Sequence, residues 1–597
     1  MSIFIKPYKT RLLCYYIGME NTEKLAHIRH SLAHLLGSSL MKLYPGSKLT
    51  LGPAIDNGFY YDVDIVGKIH EDDLVKIEAE MRIQIKSWST FEKEVVSESS
   101  AKSTFSENEY KNELIDGIKD KGEEITLYTS GSFTDLCRGG HVENMGDIDM
   151  AGWKLDRVAG AYWRGDEKNK MLTRVYGLAF ENKNDLDAYT DRRDEAHARD
   201  HKKLGKELDL FTFSDLIGPG LPLWTPRGTM VRNLLDEYVW ELRKSAGYEK
   251  VEIPHITKKE LYEKSGHWDK FKDDLFHVTS REGHEFAMKP MNCPHHTQIF
   301  DRKPWSYKEL PQRYANTTTC YRDEQSGELS GLSRLRAFTQ DDAHVFCRMD
   351  QTREEFLKVF DIVQAFYKTF GFELRVRISK HDPENFNNYI GDKEKWVLAE
   401  QTLTNLAVEK GVETFEGVGE AAFYGPKLDF MAKDAIGREW QVATIQLDMN
   451  MPERFDLNCT NEKGEKERVV MIHAAIMGSI DRFMSVLIEH IAGKFPTWLS
   501  PIQVAIIPVR ENHDEAATKL FDTLINKFIR VEKISSNESL GKRIHHAKKY
   551  NTPYIIVLGD KEIESGNLTI EKIDGTKIQM SQDEFIEHLE KEIKNRS

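Results

Sequence analysis

Apolar residues recur at helical spacing in two long stretches of the chain, and each stretch is predicted to form an amphipathic helix. The first covers residues 25–43 and the second residues 228–246, where Gly247 favours a helix end. A short strand ending at Pro254 is expected after the second helix. The pattern therefore places two helices far apart in the chain, each with one buried face.

A third helix is predicted at residues 185–208, which are heavily charged and nearly free of Gly and Pro. We interpret it as a solvated linker whose basic residues either contact RNA phosphates or are simply exposed. Those residues are Arg192, Arg193, Lys202, Lys203 and Lys206.

Beyond Pro501, short apolar runs alternate with amphipathic stretches. Strands are predicted at residues 503–507, 530–534 and 554–558, with helices at 514–528 and 540–549. This βαβαβ order indicates a parallel or mixed sheet. The second helix is basic, so the alternatives are a solvated face or an RNA-facing one.

Residues 320–347 are predicted to form a strand–loop–strand hairpin around the polar loop 324–328. Arginine at positions 322, 334 and 336 suits carboxylate or phosphate groups, because the guanidinium donates two parallel hydrogen bonds. Phe338 is placed to stack on a base. The alternative is a surface hairpin with ion pairs.

Length and composition narrow the class of protein. A chain of 597 residues is expected to hold several domains, and 40% hydrophobic with 30% charged residues is typical of soluble globular proteins. No apolar run is long enough to span a membrane. The six cysteines are scattered without a CxxC pair, which favours a reducing, cytoplasmic location. The formal net charge of −14 disfavours RNA binding by the protein surface as a whole, so RNA binding would depend on local basic patches.

Two segments carry a possible metal-ligand set. His30 and His34 lie four residues apart on the first helix, and Cys137 and His141 flank a glycine-rich loop. Ser31 stands where a zinc protease of the HExxH type needs glutamate, which excludes that activity. Together these three histidines and one cysteine match a four-ligand zinc site. The alternative is a pair of core histidines and an unrelated loop.

Residues 320–347 also resemble motif 2 of the class II aminoacyl-tRNA synthetases, in the form found in threonyl-tRNA synthetases. Other motifs similar to that family follow in family order: HSLAHLLG, DLCRGGH, AGAYWRGD, KSGHWDKF, KPMNCP, AFYGPK, IQLD and MIHAAIMGSIDRF. The resemblance covers the chain from about Leu25 to the C-terminus. It leaves no room for the ubiquitin-like N-terminal domain that many members carry.

The resemblance implies an α+β multidomain fold with an antiparallel class II catalytic sheet. The expected parts are a disordered tail (1–20), an α/β editing domain (21–184), the linker helix (185–208), the catalytic domain (209–499) and an α/β anticodon-binding domain (500–597). The helix and strand at 228–254 resemble motif 1, which implies a homodimer. Expected partners are tRNA(Thr), ATP and L-threonine, with no membrane.

The resemblance also implies one Zn²⁺ per subunit, held by Cys293, His344 and His473. Three protein ligands leave a position open for the amino group and hydroxyl of threonine. Valine lacks the hydroxyl, and such sites reject the analogue by about 10⁴–10⁵-fold. Serine lacks only a methyl group, worth about 1–3 kcal/mol, so a second, hydrolytic site is needed.

That hydrolytic site is matched by His30, His34, Cys137 and His141, with Asp135 and Lys111 as helpers. Whether it holds a metal is left open.

The remaining roles also come from motif matches. Arg322 would bridge the threonine carboxylate and the α-phosphate, and Arg482 would meet the γ-phosphate of ATP, which brings Mg²⁺. Glu324 would contact the adenine amino group and Phe338 its ring. Arg334 would also bind the γ-phosphate. Gly478 and Ser479 lie at the start of the last helix. His267 would assist transfer of the amino acid to tRNA. Around the amino acid lie Gln340, Asp342, Tyr424, Lys427 and Gln446.

Several positions depart from the family pattern. Gly140 replaces proline, His295 replaces glycine beside Cys293, and Ala474 replaces arginine beside His473. Asn551 and Glu571 replace arginines near the expected anticodon readers, which lie about Asn537 and Glu562. Two rival functions are a synthetase-like tRNA-binding protein without aminoacylation and a free-standing editor. Intact ligand and arginine positions disfavour the first, and the long synthetic module disfavours the second.

Overall fold

The computed structural model describes residues 23–596, so the prediction of a disordered tail at 1–20 lies outside the described residues. The described chain divides into two compact units, one up to residue 195 and one from residue 196 onward. No helix in the described part is long and apolar enough to cross a membrane.

The first unit packs helix Glu23–Leu43 against an antiparallel sheet. Leu32 and Leu36 are fully buried beside Phe59 and Tyr61, because helical spacing places the leucines on one face. The strands of this sheet are Lys48–Leu49, Ala54–Ile55, Gly58–Asp64, Trp153–Tyr162 and Met171–Ala179. A second sheet holds Glu92–Val95, Thr126–Ser130 and Phe133–Leu136, and the other α-helices are Leu74–Gln84, Glu98–Thr104 and Glu109–Asp120.

The predicted single helix at 185–208 is wrong in one respect, because the structure has two helices, Lys183–Arg199 and His201–Glu207. Asp200 separates them with an extended ψ of 121°, and its side chain accepts a hydrogen bond from the Lys202 N–H. Aspartate competes well as an N-cap, so it ends one helix and begins the next.

The second unit is built on an eight-stranded sheet. Its order is Glu249–Lys250, Gln312–Tyr321, Ala337–Cys347, Val470–Ser479, Glu439–Asp448, Lys427–Lys433, Glu373–Lys380 and Thr414–Val418. Only the two outermost pairings are parallel. Helices Pro226–Ser245, Thr352–Thr369, Lys393–Glu409 and Ile480–His490 contribute to its main core. The expected antiparallel catalytic sheet is confirmed.

Smaller elements complete this part of the unit. Short strands are Phe211–Thr212, Leu223–Trp224, Ile256–Lys258, His277–Thr279, Glu285–Met288, Asn458–Thr460 and Lys466–Arg468, and short helices are Lys259–Ser265, His267–Lys270, Cys293–Phe300 and Asn450–Arg454. The predicted helix at 228–246 is confirmed as Pro226–Ser245. Thr225 caps its start by accepting from the Gly228 N–H, and Gly247 ends it with φ +81°.

The predicted βαβαβ pattern beyond residue 501 is confirmed as a five-stranded mixed sheet. Val531–Lys533, Val504–Pro508 and Tyr554–Leu558 are parallel, and Asn567–Lys572 and Lys577–Ser581 extend the sheet antiparallel. Its helices are Asp514–Ile525, Leu540–Lys549, Asp560–Ser565 and Gln582–Asn595. The first helix ends before the predicted Phe528, which has a left-handed φ of 59°.

Candidate functional site

The hairpin predicted at 320–347 is confirmed, and its register organises the site. Strand Ala337–Cys347 pairs with Gln312–Tyr321 on one side and with Val470–Ser479 on the other, where His344 lies opposite His473. His473 in turn lies opposite Gln446. Because side chains alternate along a strand, Asp342, His344 and His473 project from one face, and Asp341 and Ala474 from the other.

The three expected zinc ligands converge on one point. Cys293 begins helix Cys293–Phe300, while His344 and His473 come from the paired strands. Their ligating atoms all lie within 4.8 Å of one another, and the three side chains are buried. The Nε2 atom of His344 lies 3.0 Å from Nδ1 of His473.

The outer partners of the two imidazoles suit a metal. His473 uses Nε2 toward the Asp448 carboxylate at 3.0 Å, and His344 uses Nδ1 toward Nδ1 of His296 at 2.7 Å. This leaves Nε2 of His344 and Nδ1 of His473, which lie 3.0 Å apart, available to a metal. Outer hydrogen bonds of this kind orient metal-binding imidazoles in proteins. Burial raises the pKa of the Cys293 thiol well above its usual value, so a thiolate there needs a cation. The donor set therefore fits zinc.

A buried polar network supports Asp342. Its carboxylate accepts a hydrogen bond from Asn292 Nδ2 at 3.0 Å. The fully buried Lys289 ammonium donates to Asn292 Oδ1 at 3.0 Å and to the Thr318 hydroxyl at 2.7 Å. Sequence reasoning missed Lys289 and Asn292, although both lie in the KPMNCP motif.

The other expected amino-acid residues lie on neighbouring strands and loops. The Tyr424 ring lies 5.1 Å from the His473 ring, and Gln446 Nε2 donates to the Gly425 carbonyl at 2.7 Å. Lys427 is held 2.7 Å from the Asp429 carboxylate, which is fully buried. Gln340 is opposite Ser479 in the sheet.

The expected ATP residues surround the hairpin loop. The Arg322 guanidinium lies 5.2 Å from the Phe338 ring centre and makes no ion pair within the described chain. Arg334 donates to Glu324 at 2.7 Å and to Glu328 at 3.0 Å. The residues matched to the γ-phosphate and to adenine are thus paired with each other in this structure.

The last helix of the catalytic part begins as expected. Gly478 has φ +68°, and the Ser479 hydroxyl accepts a hydrogen bond from the Arg482 N–H at 3.1 Å as the N-cap. The Arg482 side chain is exposed and makes no ion pair among residues 23–596. It is a cation near a helix N-terminus, where phosphate oxygens are favoured.

His267 is fully buried and its tautomer follows from its neighbours. The Ser265 hydroxyl donates to the Tyr262 carbonyl at 3.1 Å, so it accepts from His267 Nδ1 at 2.8 Å. His267 Nε2 then carries a lone pair, and it has no hydrogen-bond partner in the described structure. Burial lowers the pKa of His267 to about 3, which keeps the ring neutral. Nε2 of His267 can therefore accept a hydrogen bond.

The expected editing residues also converge, with all four ligating atoms within 4.8 Å. The Cys137 sulfur lies 3.4 Å from Nε2 of both His30 and His141. His34 contacts the Asp135 carboxylate through Nδ1 at 3.1 Å, and its Nε2 is buried without a hydrogen-bond partner among the described residues. Lys111 pairs with the other Asp135 oxygen, so both expected helpers belong to this cluster.

Charge in this cluster is separated. Burial opposes ionisation of the Cys137 thiol, but hydrogen bonds to His141 and His30 and the nearby charge of His34 lower its pKa to about 4. Burial likewise opposes the His34 cation, but Asp135 and Cys137 raise its pKa to about 9. At neutral pH the pocket holds a thiolate beside an imidazolium, which can orient water or bind a metal.

We predict that Cys137 reacts with iodoacetamide at nearly the same rate at pH 6 as at pH 8 after treatment with a chelator. The thiolate is the nucleophile, and a thiol with a pKa of about 4 stays ionised over that range. Mass spectrometry of the Cys137 peptide measures the rate, with a short unstructured cysteine peptide as the control. A rate that falls about tenfold per pH unit below 8, as an ordinary thiol shows, would contradict the assignment.

The departures from the family pattern have defined environments. His295 is buried, neither ring nitrogen has a partner in the described part of the chain, and burial lowers its pKa to about 4. Asn551 adopts φ +52°, which asparagine tolerates, and donates to the Gly493 carbonyl at 3.1 Å. Glu571 pairs with Lys548, and Glu562 accepts from Thr569 at 2.9 Å.

A third cluster was not foreseen. Asp200, His201 and Glu489 bring carboxylates and an imidazole together. His201 Nδ1 lies 2.6 Å from Glu489 Oε1, and its Nε2 accepts from the Leu332 N–H at 3.1 Å. Both ring nitrogens are therefore used, and the cluster joins the hairpin loop to helix Ile480–His490 as a structural contact.

Three family models match the chain. The tRNA synthetase class II core domain (G, H, P, S and T) matches residues 276–491, the anticodon binding domain matches 503–592, and the threonyl and alanyl tRNA synthetase second additional domain matches 125–176. The threonine–tRNA ligase of Cytophaga hutchinsonii is 47% identical over 580 residues, which cover 96% of this chain and 89% of that protein. The chain belongs to the threonyl-tRNA synthetase family.

Two further similarities agree with this. The threonine–tRNA ligase of Flavobacterium johnsoniae is 48% identical over 572 residues, or 95% of this chain and 88% of that protein. The crystal structure of the RNA binding domain of threonyl-tRNA synthetase from Cryptosporidium parvum Iowa II matches with a TM-score of 0.63 and 33% identity, covering 66% of this chain and 98% of that one. The family and fold class expected from the motifs are confirmed.

Proposed function

We propose that this protein is a zinc-dependent threonine–tRNA ligase that also hydrolyses Ser-tRNA(Thr). It joins threonine to ATP as threonyl-adenylate with release of pyrophosphate, and then transfers the threonyl group to tRNA(Thr). The observation that carries the proposal is the convergence of Cys293, His344 and His473 from three distant segments. The first catalytic step takes place beside this cluster.

For amino-acid recognition, Cys293, His344 and His473 would hold the zinc, and the bound ion would supply an open position for the amino and hydroxyl groups of threonine. Asp342 lies beside His344, with its Oδ1 3.8 Å from Nε2, and offers a carboxylate to the amino group. Tyr424 and Gln446 close the same wall of the site.

For activation, Arg322 neutralises the threonine carboxylate and the α-phosphate, since negative charge grows on the phosphoryl oxygens in the transition state. Phe338 stacks on adenine. ATP with Mg²⁺ would separate Arg334 from Glu324, freeing the guanidinium for phosphate and the carboxylate for the adenine amino group. Arg482 serves the γ-phosphate and Ser479 holds its helix start. Lys427, held by its ion pair with Asp429, adds positive charge to the site. Gln340 lies opposite Ser479 in the sheet.

For transfer, His267 Nε2 accepts the proton of the attacking ribose hydroxyl of tRNA. We predict that His267→Ala slows transfer by about 10²–10⁴-fold, the usual value of a general base. Rapid-quench measurement of a preformed adenylate tests this. ATP–pyrophosphate exchange is the internal control and should change little. Because the His267 pKa is about 3, the parent rate should not fall between pH 8 and pH 6 through loss of this base.

In editing, the thiolate–imidazolium pocket orients the water that attacks the seryl ester. The domain boundaries stay as proposed above, at residues 20/21, 184/185, 208/209 and 499/500, and the matched ranges 125–176, 276–491 and 503–592 fall inside them. A homodimer formed through helix Pro226–Ser245 and a cytoplasmic location complete the proposal.

The deciding experiment is ATP–pyrophosphate exchange with threonine, valine and serine. The proposal expects strong exchange with threonine, weaker exchange with serine, and none above background with valine. Absence of threonine-dependent exchange in folded, zinc-loaded protein would eliminate the ligase and favour the tRNA-binding or free-standing editing alternatives.

A further inference from the structure

Helix Pro226–Ser245 sends one arginine into the interior of the catalytic sheet. Arg243 is 2% exposed, and its Nη2 donates to the backbone carbonyls of Asp341 at 3.2 Å and Ala474 at 3.1 Å. The same nitrogen lies 3.2 Å from the Asp341 carboxylate, which is fully buried. One guanidinium thus contacts two neighbouring strands.

The Asp341 carboxylate extends this contact along the second strand. Its Oδ2 accepts from the Ile476 N–H at 3.0 Å, and its Oδ1 accepts from the Met477 N–H at 2.9 Å. These bonds replace sheet pairing where the register shifts, between Gln340 and Asp342 on one strand and between Ala475 and Ser479 on the other. Without a cation, a buried carboxylate would neutralise, and burial already raises the pKa of Asp341 to about 7.

The residues held by Arg243 are sequence neighbours of the site residues. Asp341 precedes Asp342, and Ala474 follows His473. Because side chains alternate, Arg243 acts on the helix-facing side of both strands while Asp342 and His473 project from the opposite side. We propose that Arg243 is a positioning residue that holds Asp342 and His473 in register for the metal and threonine. The positioning role of Arg243 depends on the proposed function in one respect, which is that threonine is the substrate.

Position 474 offers an independent way to test the role. In this chain the residue is a buried alanine on the same face of the sheet as Asp341. An arginine at 474 would direct its side chain toward the same carboxylate from the strand. If the role of Arg243 is to place a cation beside the Asp341 carboxylate, an arginine at position 474 should substitute for it.

The test compares Arg243→Leu, Arg243→Lys and the double variant Arg243→Leu with Ala474→Arg, each as the full chain. Arg243→Leu is expected to raise KM for threonine at least tenfold while KM for ATP stays within about twofold. The Co²⁺-substituted protein should show altered d–d absorption bands and looser metal retention against a chelator. Lys244→Leu, a change at the exposed neighbouring cation on the same helix, is the matched control.

The double variant is expected to recover most of the threonine KM and the parent Co²⁺ spectrum. If Arg243→Leu does not fold, Arg243→Lys is the substitute, because it keeps the charge but not the planar guanidinium. It should raise the KM for threonine selectively, but by a smaller factor. Unchanged threonine KM and Co²⁺ spectrum in a folded variant would overturn the proposal, as would a double variant that folds and recovers neither. If the parent protein shows no threonine-dependent pyrophosphate exchange, the proposed function fails. The Co²⁺ spectra and the retention of metal against a chelator then decide the role of Arg243.

Discussion

Replacing Cys293 by alanine is expected to remove one zinc per chain and to lower threonine-dependent pyrophosphate exchange by about 10³-fold or more. The remaining imidazoles of His344 and His473 keep their outer partners, but two neutral nitrogens bind zinc far more weakly than a set with thiolate. A bound metal that polarises its ligand is worth several kcal/mol, and about 1.4 kcal/mol is a tenfold change in rate.

Metal content by mass spectrometry and exchange kinetics measure this effect together. Cys347→Ala is the matched control, because that thiol is also buried and lies on the same strand as His344, but outside the cluster. The control should retain zinc and activity. A Cys293→Ala protein that keeps its zinc and its threonine exchange would show that the three converging residues are not the metal site.

Replacing Cys137 by alanine is expected to leave threonine charging unchanged while hydrolysis of Ser-tRNA(Thr) falls by about 10²-fold or more. The thiolate contacts His30 and His141 and stabilises the charged His34. Its loss removes the pair of opposite charges that orients water. Deacylation of preformed Ser-tRNA(Thr), together with serine accumulation during charging, measures the change.

Arg138→Ala is the control for this loop, because the Arg138 side chain is largely exposed and pairs with Glu123. It should hydrolyse Ser-tRNA(Thr) like the parent. Zinc analysis of the Cys137→Ala protein also decides the metal question: loss of a second zinc assigns a metal to the pocket, and unchanged content assigns catalysis to the side chains and water. Serine clearance equal to that of the parent would refute the editing assignment.

Much of the fold followed from local pattern. The leucines of helix Glu23–Leu43, the hairpin and the βαβαβ order beyond residue 501 were predicted because periodicity reports which side chains are buried. The break at Asp200 was not predicted, because a single capping side chain outweighed the helical propensity of its neighbours. Motif matches selected the ligands Cys293, His344 and His473, but no spacing rule joined them.

The sequence by itself determined the family, the order of the elements and the residue types at each site, because these depend on motifs and on short-range periodicity. Only the tertiary structure decided that the distant ligands meet, that Lys427 is held by Asp429, and that Arg334 pairs with Glu324. It also revealed Lys289, Asn292 and Arg243, whose side chains hydrogen-bond strands that are distant in the chain. Strand register and burial set those contacts, and both arise from packing among segments that are far apart in the chain.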